Sequence, residues 1–147
     1  MKNEQKQEFG VGDASYKAAG ALDGITALVD EFYNVMNSLP EAKRIRAMHP
    51  GDLEESRKKL SYFLSGWLGG PRLYSQNFGK IILPEAHKHL PIGESERDAW
   101  MLCMEKAIAK QPYTDEFKKY LYKQLMVPAE RTRVVCQRHR QEGSSEN

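Results

Sequence analysis

This chain is short of most features that would mark a specialised protein. Two cysteines among 147 residues, Cys103 and Cys136, cannot build a disulfide framework, and a reducing setting fits them. The longest unbroken apolar run, Ala99–Met104, is six residues, far short of the roughly 20 that span a bilayer. Met1 to Asp13 is polar and lacks the apolar stretch of a signal peptide. These features set the expectation of a soluble, cytoplasmic protein. No charge of one sign dominates: 22 basic residues face 20 acidic ones, a net charge of +2, which argues against nucleic acid as a partner. HExxH and paired Cys/His spacings are absent, so structural zinc has no support. Without GxSxG, P-loop or GxGxxG motifs, neither do hydrolase or nucleotide-binding readings.

What is present is helical periodicity. Leu22, Ile25, Leu28, Val29, Phe32, Val35 and Met36 recur at steps of three and four, one apolar face of a first long helix that Pro40 ends. Glu41 to Ala47 suits a short helical turn. Asp52, with Glu55 three residues on, forms a capping-box pattern and predicts the start of a second long helix. Leu53, Leu60, Phe63, Leu64, Trp67 and Leu68 line that helix until Gly69-Gly70-Pro71 stops it. Ser95 and Asp98 restart a helix around Trp100, Cys103, Met104, Ala107 and Ile108. Thr114 caps a last one, with Phe117, Tyr120, Leu121 and Leu125, which Pro128 is expected to end. No segment alternates like a strand. The prediction is an all-α domain over 15–128, a loose arm at 1–14 and a partly disordered extension at 129–147.

Mean hydropathy is −0.67, low for a globular chain. That points to polar ends, or to a core completed by something other than side chains. Between Arg72 and Gly93 about twenty residues lack a clean period, which is long for a connection in a compact bundle and usually signals a task. His87 lies in this stretch among Ile81, Ile82, Leu83, Leu90 and Ile92. An imidazole in apolar surroundings needs partners for its nitrogens. A simple pairing with a carbonyl is the commoner solution; a metal on one nitrogen and a carbonyl on the other is the second.

Several motifs occur together with His87. In order they are Phe32-Tyr33, Met48-His49-Pro50, Trp67-Leu68-Gly69-Gly70-Pro71, His87 with Ile92 five residues on, Glu96-Arg97-Asp98-Ala99-Trp100, and Cys103-Met104. This set, running from Leu22 to Leu125, resembles the group II truncated haemoglobins, the 2-on-2 globins of bacteria and plants. The resemblance implies a truncated-globin fold, a two-over-two helical sandwich around haem b (iron protoporphyrin IX), and accounts for the long irregular loop before the proximal ligand. His87, nine residues before Glu96, takes the place of that iron ligand, whereas His89 falls off the spacing and belongs at the surface. Tyr33 and Trp100 match distal positions, where an O–H and an N–H would donate to the partial negative charge of bound O2. His49 matches a corner position and is expected as a third donor. Phe32, Ser56, Lys59, Leu60, Phe63, Tyr74, Leu90, Ile92 and Met104 are the expected haem cradle, with Ser56 leaving a ligand path open and Lys59 meeting a propionate or simply the solvent.

The chain also departs from the family pattern. Where many relatives carry arginines before the proximal histidine, it has Pro84, Glu85 and Ala86, so Lys59, Arg72, Tyr74 and Lys88 are the substitute propionate partners. The resemblance implies O2 binding, with NO and CO as further ligands. The same donors suit NO oxidation or peroxide reduction, for which an external reductase is needed because no flavin or NAD site is apparent. A cofactor-free helical interaction module is the alternative of a different class. Oligomeric state is left open, though a homo-oligomer is compatible. The arginines of the tail read as a solvated helix end, Cys136 as an exposed thiol and Cys103 as a buried, inert one.

Overall fold

The computed structural model describes residues 8–82 and 86–145. Helix α1 (Ala14–Ala18) turns through Gly20 into α2 (Ala21–Ser38), on which Ile25, Leu28, Val29, Phe32, Val35 and Met36 are all buried. Their spacing places them on one face, so forming this helix and burying its stripe are coupled. Leu39 is extended ahead of Pro40, as proline favours in its predecessor, and α2 stops there. A 3-10 turn (Pro40–Ala42) and α3 (Lys43–Ala47) follow.

Helix α4 (Glu54–Trp67) begins one residue later than a cap at Asp52 predicts. The Asp52 carboxylate accepts the Glu54 N–H at 2.9 Å, closing a local turn instead of capping the helix. Glu55 does not close a capping box either; it pairs with Lys59 one turn on. The far end of α4 meets α1 at the double glycine. A Cβ on Gly70 would lie 2.3 Å from the Tyr16 ring, and one on Gly69 (φ 94°) would lie 2.1 Å from the Gly12 carbonyl. Only residues without side chains allow this approach, which the Tyr16 N–H to Leu68 carbonyl bond (3.0 Å) fastens. After it come α5 (Leu73–Phe78) and the irregular stretch around His87.

Helix α6 (Glu94–Ala109) starts at Gly93, whose N–H donates to the Glu96 carboxylate at 2.8 Å. Helix α7 (Asp115–Ser145) opens with Thr114 accepting the Phe117 N–H, as expected. It does not end at Pro128, however, but runs through it to Ser145. Proline removes one ladder bond, and contacts past it supply the compensation. Glu130 binds Arg97 and Arg133, Thr132 donates to the Pro128 carbonyl, and Cys136 is fully buried. So the expected boundary at 128 is not a structural break, and Cys136 is not the exposed thiol the tail suggests.

The arm is likewise not loose where it is described. The Phe9 ring sits 5.1 Å from Phe117 and 5.0 Å from Tyr120, and the Gly10 N–H donates to Ser15. Helix α2 packs on α4 and α6, and α6 packs on α7, giving two helix pairs layered one over the other. No strand occurs among the described residues.

Candidate functional site

Side chains from α2 to α7, with the irregular stretch, enclose one cavity of about 330 Å³, partly open to solvent. Its walls are chiefly apolar, with a few convergent polar groups, the composition of a small-molecule or cofactor pocket. His87, Tyr33, Trp100 and His49 all line it, as do Ser56, Lys59, Leu60, Phe63, Tyr74, Leu90 and Ile92. Phe32 and Met104 do not. Both are fully buried in the core behind the wall, Phe32 as an edge-on support 5.0 Å from the Tyr33 ring and 5.2 Å from Trp100.

Tyr33 is 5% exposed, yet its hydroxyl makes no hydrogen bond among the described residues. Burial pushes its pKa up to about 12, the nearby Arg57 guanidinium opposing, so the group remains an O–H donor throughout the neutral range. The Trp100 indole N–H, a donor only, is likewise without a described protein partner. Both residues line the apolar cavity, and neither donor is used among the described residues, so each is available to an acceptor that enters from outside.

His49 behaves differently from the expected third donor. Its Nδ1 lies 2.8 Å from the Ile45 carbonyl, four residues back at the end of α3. A carbonyl only accepts, so Nδ1 carries the proton and Nε2 keeps its lone pair in the neutral ring. Burial lowers the His49 pKa, partly offset by the Ile45 bond, which favours that neutral form. At neutral pH His49 therefore offers an acceptor, 5.7 Å between ring centroids from Tyr33.

The His87 backbone is held both from within its own loop and from α7. Its carbonyl receives the Leu90 N–H at 2.9 Å and the Cys136 thiol of α7 at 3.0 Å. Burial raises the Cys136 pKa, against smaller effects of the Ile92 amide, Arg140 and the Leu90 amide, and keeps the thiol protonated as a donor. His89 is exposed, as expected. Of the substitute propionate partners, Lys59 and Tyr74 line the cavity while Arg72 and Lys88 do not; Pro84 and Glu85 lie outside the described residues.

The cavity also includes groups that sequence reasoning did not select. Glu96 is 8% exposed and binds the Gly93 N–H, with Arg44 3.5 Å away. Arg97 is committed to Asp98 and Glu130. Both belong to the ERDAW motif, but only the fold shows that they face the pocket. No cluster of three or more potential metal ligands occurs among the described residues. A metal gripped here by an imidazole would have to bring its other ligands with it, and haem iron does so. The described helices include none long and apolar enough to cross a membrane.

A chiefly apolar cavity with His87 and His49 on its wall, between two layered helix pairs, is the arrangement of a globin of the shortened, two-over-two type. Residues 14–132 match the bacterial-like globin family. A group 2 truncated hemoglobin of Bacillus subtilis (strain 168) is 35% identical over 117 residues, which cover 80% of this chain and 86% of that protein. Among solved structures, a cold-adapted truncated hemoglobin of Pseudoalteromonas haloplanktis TAC125 shares 31% identity at a TM-score of 0.77, covering 80% of this chain and 95% of the other. The group II 2-on-2 hemoglobin of Agrobacterium tumefaciens is 36% identical, with a TM-score of 0.76 and coverages of 80% and 92%. The chain belongs to the bacterial-like globins and, within them, to the group II truncated haemoglobins, a family of haem proteins that bind small gaseous ligands.

Proposed function

We propose that this chain is a haem b globin that reversibly holds O2, with NO and CO as further ligands, through His87 on the iron and Tyr33 and Trp100 on the ligand. Haem, when bound, supplies the iron at which a diatomic molecule is taken up. The observation that carries the reading is one apolar cavity lined by His87, Tyr33 and Trp100, the last two bearing an O–H and an N–H without a partner among the described residues. Among relatives, the truncated haemoglobin of Bacillus subtilis is described as oxygen-avid, which agrees with a donor-rich distal wall.

The residues divide the work by chemistry. The His87 imidazole would supply a ring nitrogen to the haem iron. Tyr33 and Trp100 would offer an O–H and an N–H to the diatomic, which would favour the more polarised O2 over CO. Leu60, Phe63, Leu90 and Ile92 would keep water from the macrocycle, and Lys59 and Tyr74, both on the cavity wall, would be the candidates to hold a propionate. Membership of a haem-protein family removes the support for a cofactor-free interaction module.

The test is optical. Recombinant protein should show a Soret band, and His87→Ala should lose or disorder the haem while the apo-fold, followed by far-ultraviolet circular dichroism, survives. A folded wild-type chain that stays colourless on addition of haemin would end this reading.

A further inference from the structure

Helix α7 continues past Pro128, and its far half lies against the segment that carries His87. Three backbone carbonyls of residues 87–92 receive side chains from it. The Cys136 thiol donates to the His87 carbonyl at 3.0 Å. Arg140, one turn on and on the same helix face, donates to the Leu90 carbonyl at 3.5 Å and the Ile92 carbonyl at 3.3 Å. These contacts join positions 48 to 50 residues apart in the chain, so they are tertiary and not local. Cys136 is fully buried, although it belongs to a polar helix end. Glu130, bridging Arg97 of α6 and Arg133 of α7, anchors this half of the helix nearer its middle.

Leu90 and Ile92 are also walls of the cavity. A grip on their carbonyls and on that of His87 therefore fixes both the imidazole's backbone and the floor beside it. The stretch has little regular structure of its own, so external bonds contribute much of its definition. Cys136 and Arg140 both lie beyond residue 132, where the match to the bacterial-like globin family ends.

We infer that the C-terminal half of α7 is a clamp on the ligand-bearing segment, with Cys136 and Arg140 as positioning residues that set the orientation and rigidity of the His87 imidazole. The inference rests on the proposal that His87 ligates haem iron. Its experiment therefore has one arm with haem and one without.

In the full-length haem-loaded ferrous protein, resonance Raman reads the iron–histidine stretch, which responds to imidazole orientation. Cys136→Ala and Arg140→Ala should each shift or broaden that band and speed haem loss to a scavenger apoglobin about three- to tenfold, the range expected for one lost neutral or charge-assisted hydrogen bond. Cys136→Ser, which keeps a donor, should restore the band towards wild type. In the apo-protein, amide hydrogen exchange over 87–92 should quicken in both alanine variants while total helix content holds. Faster exchange with an unmoved iron–histidine band would overturn the positioning role and leave a purely structural strap. Unchanged exchange and an unchanged band would overturn the clamp altogether. A wild-type chain that takes no haem would instead refute the haem proposal, and with it the positioning of a ligand, while the exchange arm still decides whether the clamp exists.

Discussion

Replacing Tyr33 by phenylalanine removes one oxygen atom from the cavity wall and little else. The ring remains packed against Phe32, and no described protein group loses a partner, because the hydroxyl has none. The stability of the apo-protein should therefore stay within about 0.5 kcal/mol of wild type. Ligand retention should not. A hydrogen bond to a group bearing charge contributes about 1.5–3 kcal/mol. The lower part of that range applies here, because O2 carries only partial charge. A loss of ~1.5–2 kcal/mol corresponds to O2 dissociating about 10- to 30-fold faster. Carbon monoxide, with little charge on its outer atom, should change by less than about threefold. Stopped-flow displacement of O2 by CO, and of CO by NO, measures both rates. If the O2 rate of Tyr33→Phe stays within twofold of wild type, or CO accelerates as much as O2, Tyr33 does not act as a donor to the ligand.

Two further predictions concern the scaffold. Gly70→Ala drives a methyl into the Tyr16 ring, so urea denaturation should show a loss of about 1–3 kcal/mol, whereas Gly143→Ala, with open space around it, should show none. Glu130 carries a pKa pulled down to about 2 by hydrogen bonds from Arg133 and Arg97. A folded-state pKa below the unfolded value means that its contribution is present above pH 4.5 and lost as pH falls towards 2. The thermal midpoints of wild type and Glu130→Gln should differ at pH 6 and converge through that window. Because the carboxylate is 38% exposed, salt should narrow the gap; a gap that persists at pH 2 would refute the assignment.

The fold was most legible where the chain's own period does the organising. The stripe from Leu22 to Met36 places Phe32 in phase with Leu28, Val29 and Met36. It thereby contained the correction to the cradle, since a residue in that phase faces the core and its neighbour Tyr33 meets the cavity. Met104 fits the buried stripe of α6 in the same way. Pro128 was misleading because its rule is local, while the bonds that override it come from Arg97, on a different helix. His49 could be placed at a corner from its motif, but its hydrogen-bonding sense depends on where the Ile45 carbonyl points at the end of α3. The burial of Cys136 against His87, 49 residues away, has no signature in periodicity.

The cavity of about 330 Å³ has one more consequence, because its apolar walls belong to the same helices that make up the folded domain. Whatever fills it favours the native state over the unfolded chain, by about 1.4 kcal/mol for each tenfold excess over its dissociation constant. In a cell this would make the globin's lifetime a gauge of porphyrin supply: starved of it, the polypeptide spends more time open to proteases, and its abundance falls without any change in synthesis.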